Sequence, residues 1–204
     1  MILLPAASTG FLTAFALILA IGAQNAFVLK QGIMRSHVFW VCLVCALSDA
    51  ILIAAGVTGF GVIIEIYPSL PRWMAMGGAA FLIFYALTRF WAAWKGGDTQ
   101  AITGTRAALW PTLLTCLALT WLNPHVYLDT LGLIGAVSTQ FTDLSQKWAF
   151  GIGAVSSSFV FFFGLGYGAR ILAPIMTTAR TWQILDVLIG LLMLYLAFGL
   201  IQTL

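Results

Sequence analysis

Charge is what this 204-residue sequence has least of, since 7% of its residues are Asp, Glu, Lys or Arg. A soluble domain carries about 25%, so the chain cannot cover a water-facing surface of ordinary size. Acids number six and histidines two. No HExxH string occurs, no hydroxyl sits beside a general base, and His37 lies in a connection, which argues against a membrane enzyme. The three cysteines, Cys42, Cys45 and Cys116, all lie in apolar runs, so a disulfide framework is not expected. Cys42 and Cys45 form a CxxC, but no second pair or cluster of His and acids accompanies it. They read as small apolar fillers, and no metal or cofactor is expected. No basic stretch interleaved with aromatics points to nucleic acid. The start of the chain has no basic segment or small-residue cleavage site, so its first apolar run is expected to be a retained span rather than a signal peptide.

Apolar residues make up 62% of the chain, and the mean hydropathy is +1.04. A helix needs about 20 apolar residues to cross a bilayer. Runs of adequate length fall at about 4–29, 38–64, 72–94, 108–137, 147–173 and 182–203, separated by short connections that hold nearly all the charge. The expected fold is therefore an all-α integral membrane domain of six helices. The third connection, with Gly96-Gly97-Asp98 and Gly104, divides the chain near its middle, into halves of about 1–95 and 107–204. Lys30, Arg35, Arg89, Lys95, Arg106, Arg170 and Arg180 fall on one side of these spans, and Arg72 and Lys147 on the other. By the positive-inside rule the first, third and fifth connections are cytoplasmic and both termini lie outside. Trp40, Trp73, Trp91, Trp94, Trp110, Trp148 and Trp182 sit near predicted span ends, as interfacial anchors do.

Two apolar runs are each interrupted by a polar string centred on asparagine. One reads Gln24-Asn25-Ala26-Phe27-Val28-Leu29-Lys30, the other Leu122-Asn123-Pro124-His125-Val126-Tyr127-Leu128-Asp129. A shift of 98 positions superposes Asn25 on Asn123 and Val28 on Val126. Ser48-Asp49 with Gly56, Gly59 and Gly61 in the second span echoes Ser156-Ser157-Ser158 with Gly164, Gly166 and Gly168 in the fifth. Gly78 and Gly190 hold equivalent places in the third and sixth. Three spans per half would invert the second half relative to the first, an arrangement common in secondary transporters, whose sites lie between the repeats.

Pro124 removes a backbone donor and clashes with the preceding turn, so the fourth span is expected to break at Asn123-Pro124. Asp49 lies mid-span with roughly ten apolar or small residues on either side, where a carboxylate is costly unless it faces a cavity, a cation or a proton. Asp129 lies nearer an interface and is the second candidate acid. Asp186, a turn into the last span, reads as an interfacial acid, and Asp98 and Asp143 as plain loop residues. Gln24 and Asn25 read as lining the site, with cross-helix hydrogen bonding as the competing reading. Tyr127 reads equally as a donor into the site or an interfacial anchor. His125 reads equally as a proton shuttle or a partner for a neighbouring carbonyl. Ser48, Ser156 to Ser158, and the glycines of Gly164-x-x-x-Gly168 and Gly56-x-Thr58-Gly59-x-Gly61 read as helix-contact residues.

The strings Gly22 to Gly32, Ser48-Asp49 and Thr120-Trp121-Leu122-Asn123-Pro124-His125-Val126-Tyr127-Leu128-Asp129-Thr130 resemble the lysine exporter (LysE) family, and within it exporters of the ArgO type. The Gln24-Asn25 string sets the chain apart from the sister homoserine/threonine exporters (RhtB), which carry Pro-Gly-Pro there. The resemblance implies a bacterial inner-membrane exporter of L-arginine or L-lysine, driven by the proton gradient or the membrane potential. Asp49 and Asp129 would then pair with the cationic side chain, and Asn25, Asn123, Gln24 and Tyr127 would complete the substrate site. Asp49 and His125 would carry the proton coupling. Membrane lipid is the surrounding medium, and nothing in the sequence argues against homo-oligomers. Relatives often have proline where this chain has Ala23, so a softer first break is expected. The alternatives are a neutral amino acid or divalent metal as cargo, or a non-transporting membrane scaffold.

Overall fold

The computed structural model describes residues 3–19, 22–59, 69–96 and 108–202. Gly61, Gly97, Asp98, Gly104 and Arg106, all used in the sequence reading, lie outside the described residues. Helix is the only regular structure among the described residues, as expected where hydrocarbon offers the backbone no partners. The first apolar run forms α1 (Leu3–Ile18) and α2 (Ala23–Ile33), inclined to each other by 83°. Next come α3 (Val38–Val57) and α4 (Leu70–Trp94). The fourth run is built in pieces: α5 (Leu109–Trp121), α6 (Pro124–Tyr127), a π-helical stretch Leu128–Ile134, and α7 (Gly135–Ser138). A long helix α8 (Leu144–Gly168) runs on into a 3₁₀ turn, Ala169–Ile175, and α9 (Ala179–Gln202) closes the bundle.

Four of these helices are long and apolar enough to cross a membrane, and the bent pair α1 and α2 makes a fifth span if it counts as one. The sixth predicted crossing is the segmented run from Leu109 to Ser138. Its longest helix, α5, has 13 residues, or about 20 Å at 1.5 Å per residue, short of the roughly 30 Å of hydrocarbon. The expectation of a soft first break is not met, because an 83° bend forms there without proline.

The main packing partners are α1 with α8, α4 with α9, and α3 with α8. Water-driven burial contributes little between helices in lipid, so close backbone approach matters more. Where α1 crosses α8, a Cβ at Gly10 would collide with the Phe150 carbonyl, and one at Gly153 with the Ala7 carbonyl. Gly56 of α3 likewise meets the Thr130 carbonyl, and Gly32 of α2 meets Gly166 of α8. Gly78 and Gly190 pack tightly against Leu122 and Phe90, whereas a Cβ at Gly164 or Gly168 would meet nothing. The contact role read for that last pair therefore belongs to Gly166 instead. The cysteines sit in the core, Cys42 donating to the Phe162 carbonyl at 3.1 Å and Cys45 lying 3.2 Å from Cys116.

Asp186 corrects the sequence reading. It is not an interfacial acid but is fully buried, and its Oδ1 accepts from Lys30 Nζ at 2.5 Å and Arg89 Nη1 at 3.4 Å. Lys30, counted above as a connection residue, is 2% exposed. These side chains tie α2, α4 and α9 together, with the Arg89 guanidinium also lying over the Tyr85 ring. Gln183 adds a bond to the Ala93 carbonyl at 2.9 Å. The same end of the bundle carries Arg35, Lys95, Arg170 and Arg180, while Arg72 and Lys147 occupy the starts of α4 and α8 at the other. Six of the seven tryptophans read as anchors are exposed, but Trp182 is buried and donates to the Met176 carbonyl. Removing one member of a buried charge group is expensive because its partners stay buried. Asp186→Asn deletes the carboxylate that both cations share and should destabilise the fold by about 3–5 kcal/mol. Lys30→Met, which leaves Arg89 on Asp186, should cost less. Thermal unfolding of the detergent-solubilised protein gives the order.

Candidate functional site

Two helix breaks meet near the middle of the bundle, and each closes itself with side chains. At the first, Asn25 Nδ2 reaches back to the Ile18 carbonyl at 2.8 Å and satisfies an acceptor that the end of α1 would otherwise expose. At the second, the Tyr127 hydroxyl reaches back to the Trp121 carbonyl at 2.9 Å. Asn123 also caps α6, its Oδ1 accepting from the His125 N–H at 3.1 Å, while Pro124 at the first helical position has no N–H to satisfy. The π-helical stretch that follows carries Asp129. Single π turns inside helices occur often at functional sites. Trp121 Nε1 donates to Ser48 Oγ at 3.1 Å and so anchors the second break to α3, one residue from Asp49.

Asp49 is 5% exposed, and Ser158 Oγ of α8 donates to its Oδ2 at 2.9 Å. One neutral hydrogen bond does not compensate for burying a carboxylate, so Asp49 is set up for a cation or a proton. The space beside it is a cavity of about 380 Å³, within the range of small-molecule sites. Gln24, Asn25, Asp49, Asn123, His125 and Asp129 all line it, with Gly22 and Thr130. Its apolar wall comes from Leu17, Ile18, Ile53, Val126, Ile134, Phe162 and Leu196. No Lys or Arg is among the lining residues, so two carboxylates set its sign.

Of the eight candidate residues named from sequence, Tyr127 and Pro124 are the two outside the lining, and both shape the second break instead. The sequence reading missed Ser158. The three consecutive serines were a signal, but only the rotation of α8 decides that Ser158 faces Asp49 while Ser156 is exposed and bonds its own helix.

A mostly apolar helical bundle with two broken runs around a cavity that holds two carboxylates and three carboxamides is the form of a membrane transporter rather than an enzyme. Residues 15–203 match the family described as LysE type translocator, and the chain belongs to that family. It is 40% identical over 192 residues to the arginine exporter protein ArgO of Salmonella enteritidis PT4, covering 94% of this chain and 90% of that protein. Against ArgO of Salmonella newport the identity is 39% over the same length and the same shares. A Mycobacterium tuberculosis protein whose name makes it a candidate amino-acid transporter is 44% identical over 184 residues, 90% of either chain. No solved structure matches the chain. Removing the second-break cap with Asn123→Ala should cost about 1 kcal/mol, read as a lower melting temperature in detergent.

Proposed function

We propose that this chain exports basic L-amino acids, arginine or lysine, across the bacterial inner membrane, coupled to inward proton flow or to the membrane potential. The observation that carries this reading is the cavity itself, which brings the mid-span Asp49 and the more exposed Asp129 together with three carboxamides. A cationic side chain would pair with the carboxylates, and Asn25, Asn123 and Gln24 would meet the polar groups of the amino acid. A neutral cargo would leave two carboxylates in the cavity unmatched. The names of the ArgO relatives agree with a basic cargo.

Proton uptake on Asp49 would weaken its hold on the cation, and His125, exposed at the cavity, would relay the proton. Alternating access would come from rocking of two inverted three-helix repeats, with the segmented fourth run as the sixth span. Paired features support that arrangement. A residue just after each break reaches back to a carbonyl at the end of the preceding helix, Asn25 to Ile18 and Tyr127 to Trp121. Gly32 against Gly166 matches Gly56 against Thr130 in kind. The basic end would face the cytoplasm and leave both termini outside. Lys30, Arg89 and Asp186 would then hold the cytoplasmic side together and have to part for cargo to pass.

The test is export of arginine or lysine from cells loaded with the corresponding dipeptides. Asp49→Asn and Asp129→Asn should each lower efflux at least tenfold, the equivalent of about 1.4 kcal/mol, at unchanged membrane abundance. Unaltered efflux from Asp49→Asn would rule out its central role.

A further inference from the structure

The charge of the cavity is larger than that of a basic amino acid. Asp49 and Asp129 both line it, close enough for each charge to act on the other, and no Lys or Arg lines it with them. Asp49 is 5% exposed, and Ser158 satisfies one of its oxygens without answering its charge. A basic amino acid brings two cationic groups and a carboxylate. It therefore offsets one of the two negative charges and sets a third carboxylate beside the pair, where like charges repel.

The lining is also poor in donors for a carboxylate. Asn25 Nδ2 is committed to the Ile18 carbonyl, and Thr130 Oγ1 to the Val126 carbonyl. Gln24 Nε2 has no open surface and the amide lies against the Cys45 thiol, so Gln24 offers the cavity its carbonyl oxygen. Neither helix start is open: Ala23 is fully buried at the first break, and Asn123 caps the His125 N–H at the second. Among the lining side chains the donors that remain are the Asn123 amide nitrogen and the His125 ring, and His125 already acts on the charge of Asp129. An anion gains little here, whereas a cation at each end of a short chain finds an acid on each of two elements, α3 and the π-helical stretch. Leu17, Ile18, Ile53, Phe162 and Leu196 supply apolar wall for the methylenes between.

We infer that the cavity also takes aliphatic diamines, with a cation at each end and no carboxylate, and that this chain exports them alongside basic amino acids. The inference rests on the reading of the cavity as a cation site and extends its substrate class. Decarboxylation of lysine or arginine yields such molecules, since loss of carbon dioxide removes the one charge that the two acids repel. A dication then matches Asp49 and Asp129 charge for charge.

The experiment is equilibrium binding of radiolabelled cadaverine and agmatine, and of their parents lysine and arginine, to purified protein in lipid nanodiscs. At least one of the two amines should bind as tightly as its parent, or up to about tenfold tighter. The matching single cation, pentylamine or butylguanidine, should bind about tenfold more weakly than the diamine. Asp129→Asn, which removes one of the two charges, should weaken the diamine more than the parent amino acid. Both diamines weaker than their parents, a single cation as tight as the diamine, or an unchanged ratio in Asp129→Asn overturns the proposal. Should Asp129→Asn not fold, the wild-type comparisons decide. Amino acids that bind more tightly than the diamines leave the basic-cargo reading standing alone. Diamines that bind where amino acids do not sink that reading and keep this one, and binding of neither sinks both. Efflux of cadaverine or agmatine from preloaded proteoliposomes then reads export, and no excess over protein-free liposomes overturns that activity.

Discussion

A helix interrupted inside hydrocarbon exposes backbone groups that no solvent will satisfy, and this chain is interrupted twice. Much of the polar chemistry in the bundle answers that constraint. Asn25 and Tyr127 each take a carbonyl stranded at the end of a half-helix, and Asn123 takes an N–H stranded at the start of one. Trp121 then fixes the second break to α3 through Ser48. Asn25 and Asn123, brought in to complete the backbone, also line the cavity. The acids stand apart, because no backbone group of the breaks requires Asp49 or Asp129.

The constraint also explains what was legible in the sequence. A polar residue in an apolar run is conspicuous, so Gln24, Asn25, Asp49, Asn123, His125 and Asp129 all stood out, and all line one cavity. The helical runs were legible for the same reason, because charge is confined between them. Asp186 and Lys30 were not. Both lie near predicted span ends, where a solvated charge is ordinary, and their pairing joins residues 156 positions apart. Ser158 was hidden by its two serine neighbours, since composition does not give helix rotation. The sharp first break was underestimated because proline was taken as its marker, and the two helices meet at 83° without one.

The Lys30, Arg89 and Asp186 group shows how a chain with so few charges uses them. A buried carboxylate shared by an ammonium and a guanidinium is a poor way to gain stability compared with apolar packing of similar volume. Its advantage is geometric: three helices are registered at the basic end by one atom, Asp186 Oδ1. An apolar contact would allow those helices to slide. A charge group holds one arrangement and then releases when its geometry is lost, which would suit the alternation proposed above.

The same reasoning applies where α3 meets α8 at the cavity. Asp49 on α3 accepts from Ser158 on α8, so a group that faces the cavity is also a link between two long helices. On the reading proposed above, a bound cation competes with the Ser158 hydroxyl for that carboxylate. A carboxylate has lone pairs for both, yet its best geometry toward one shifts when the other arrives. Cargo whose cation pairs with Asp49 would therefore bear on that contact. It would loosen the tie from α3 to α8. Coupling of binding to rearrangement needs a ligand that favours one arrangement over another, and a cavity whose two carboxylates sit on different elements, Asp49 on α3 and Asp129 on the π-helical stretch, provides for that.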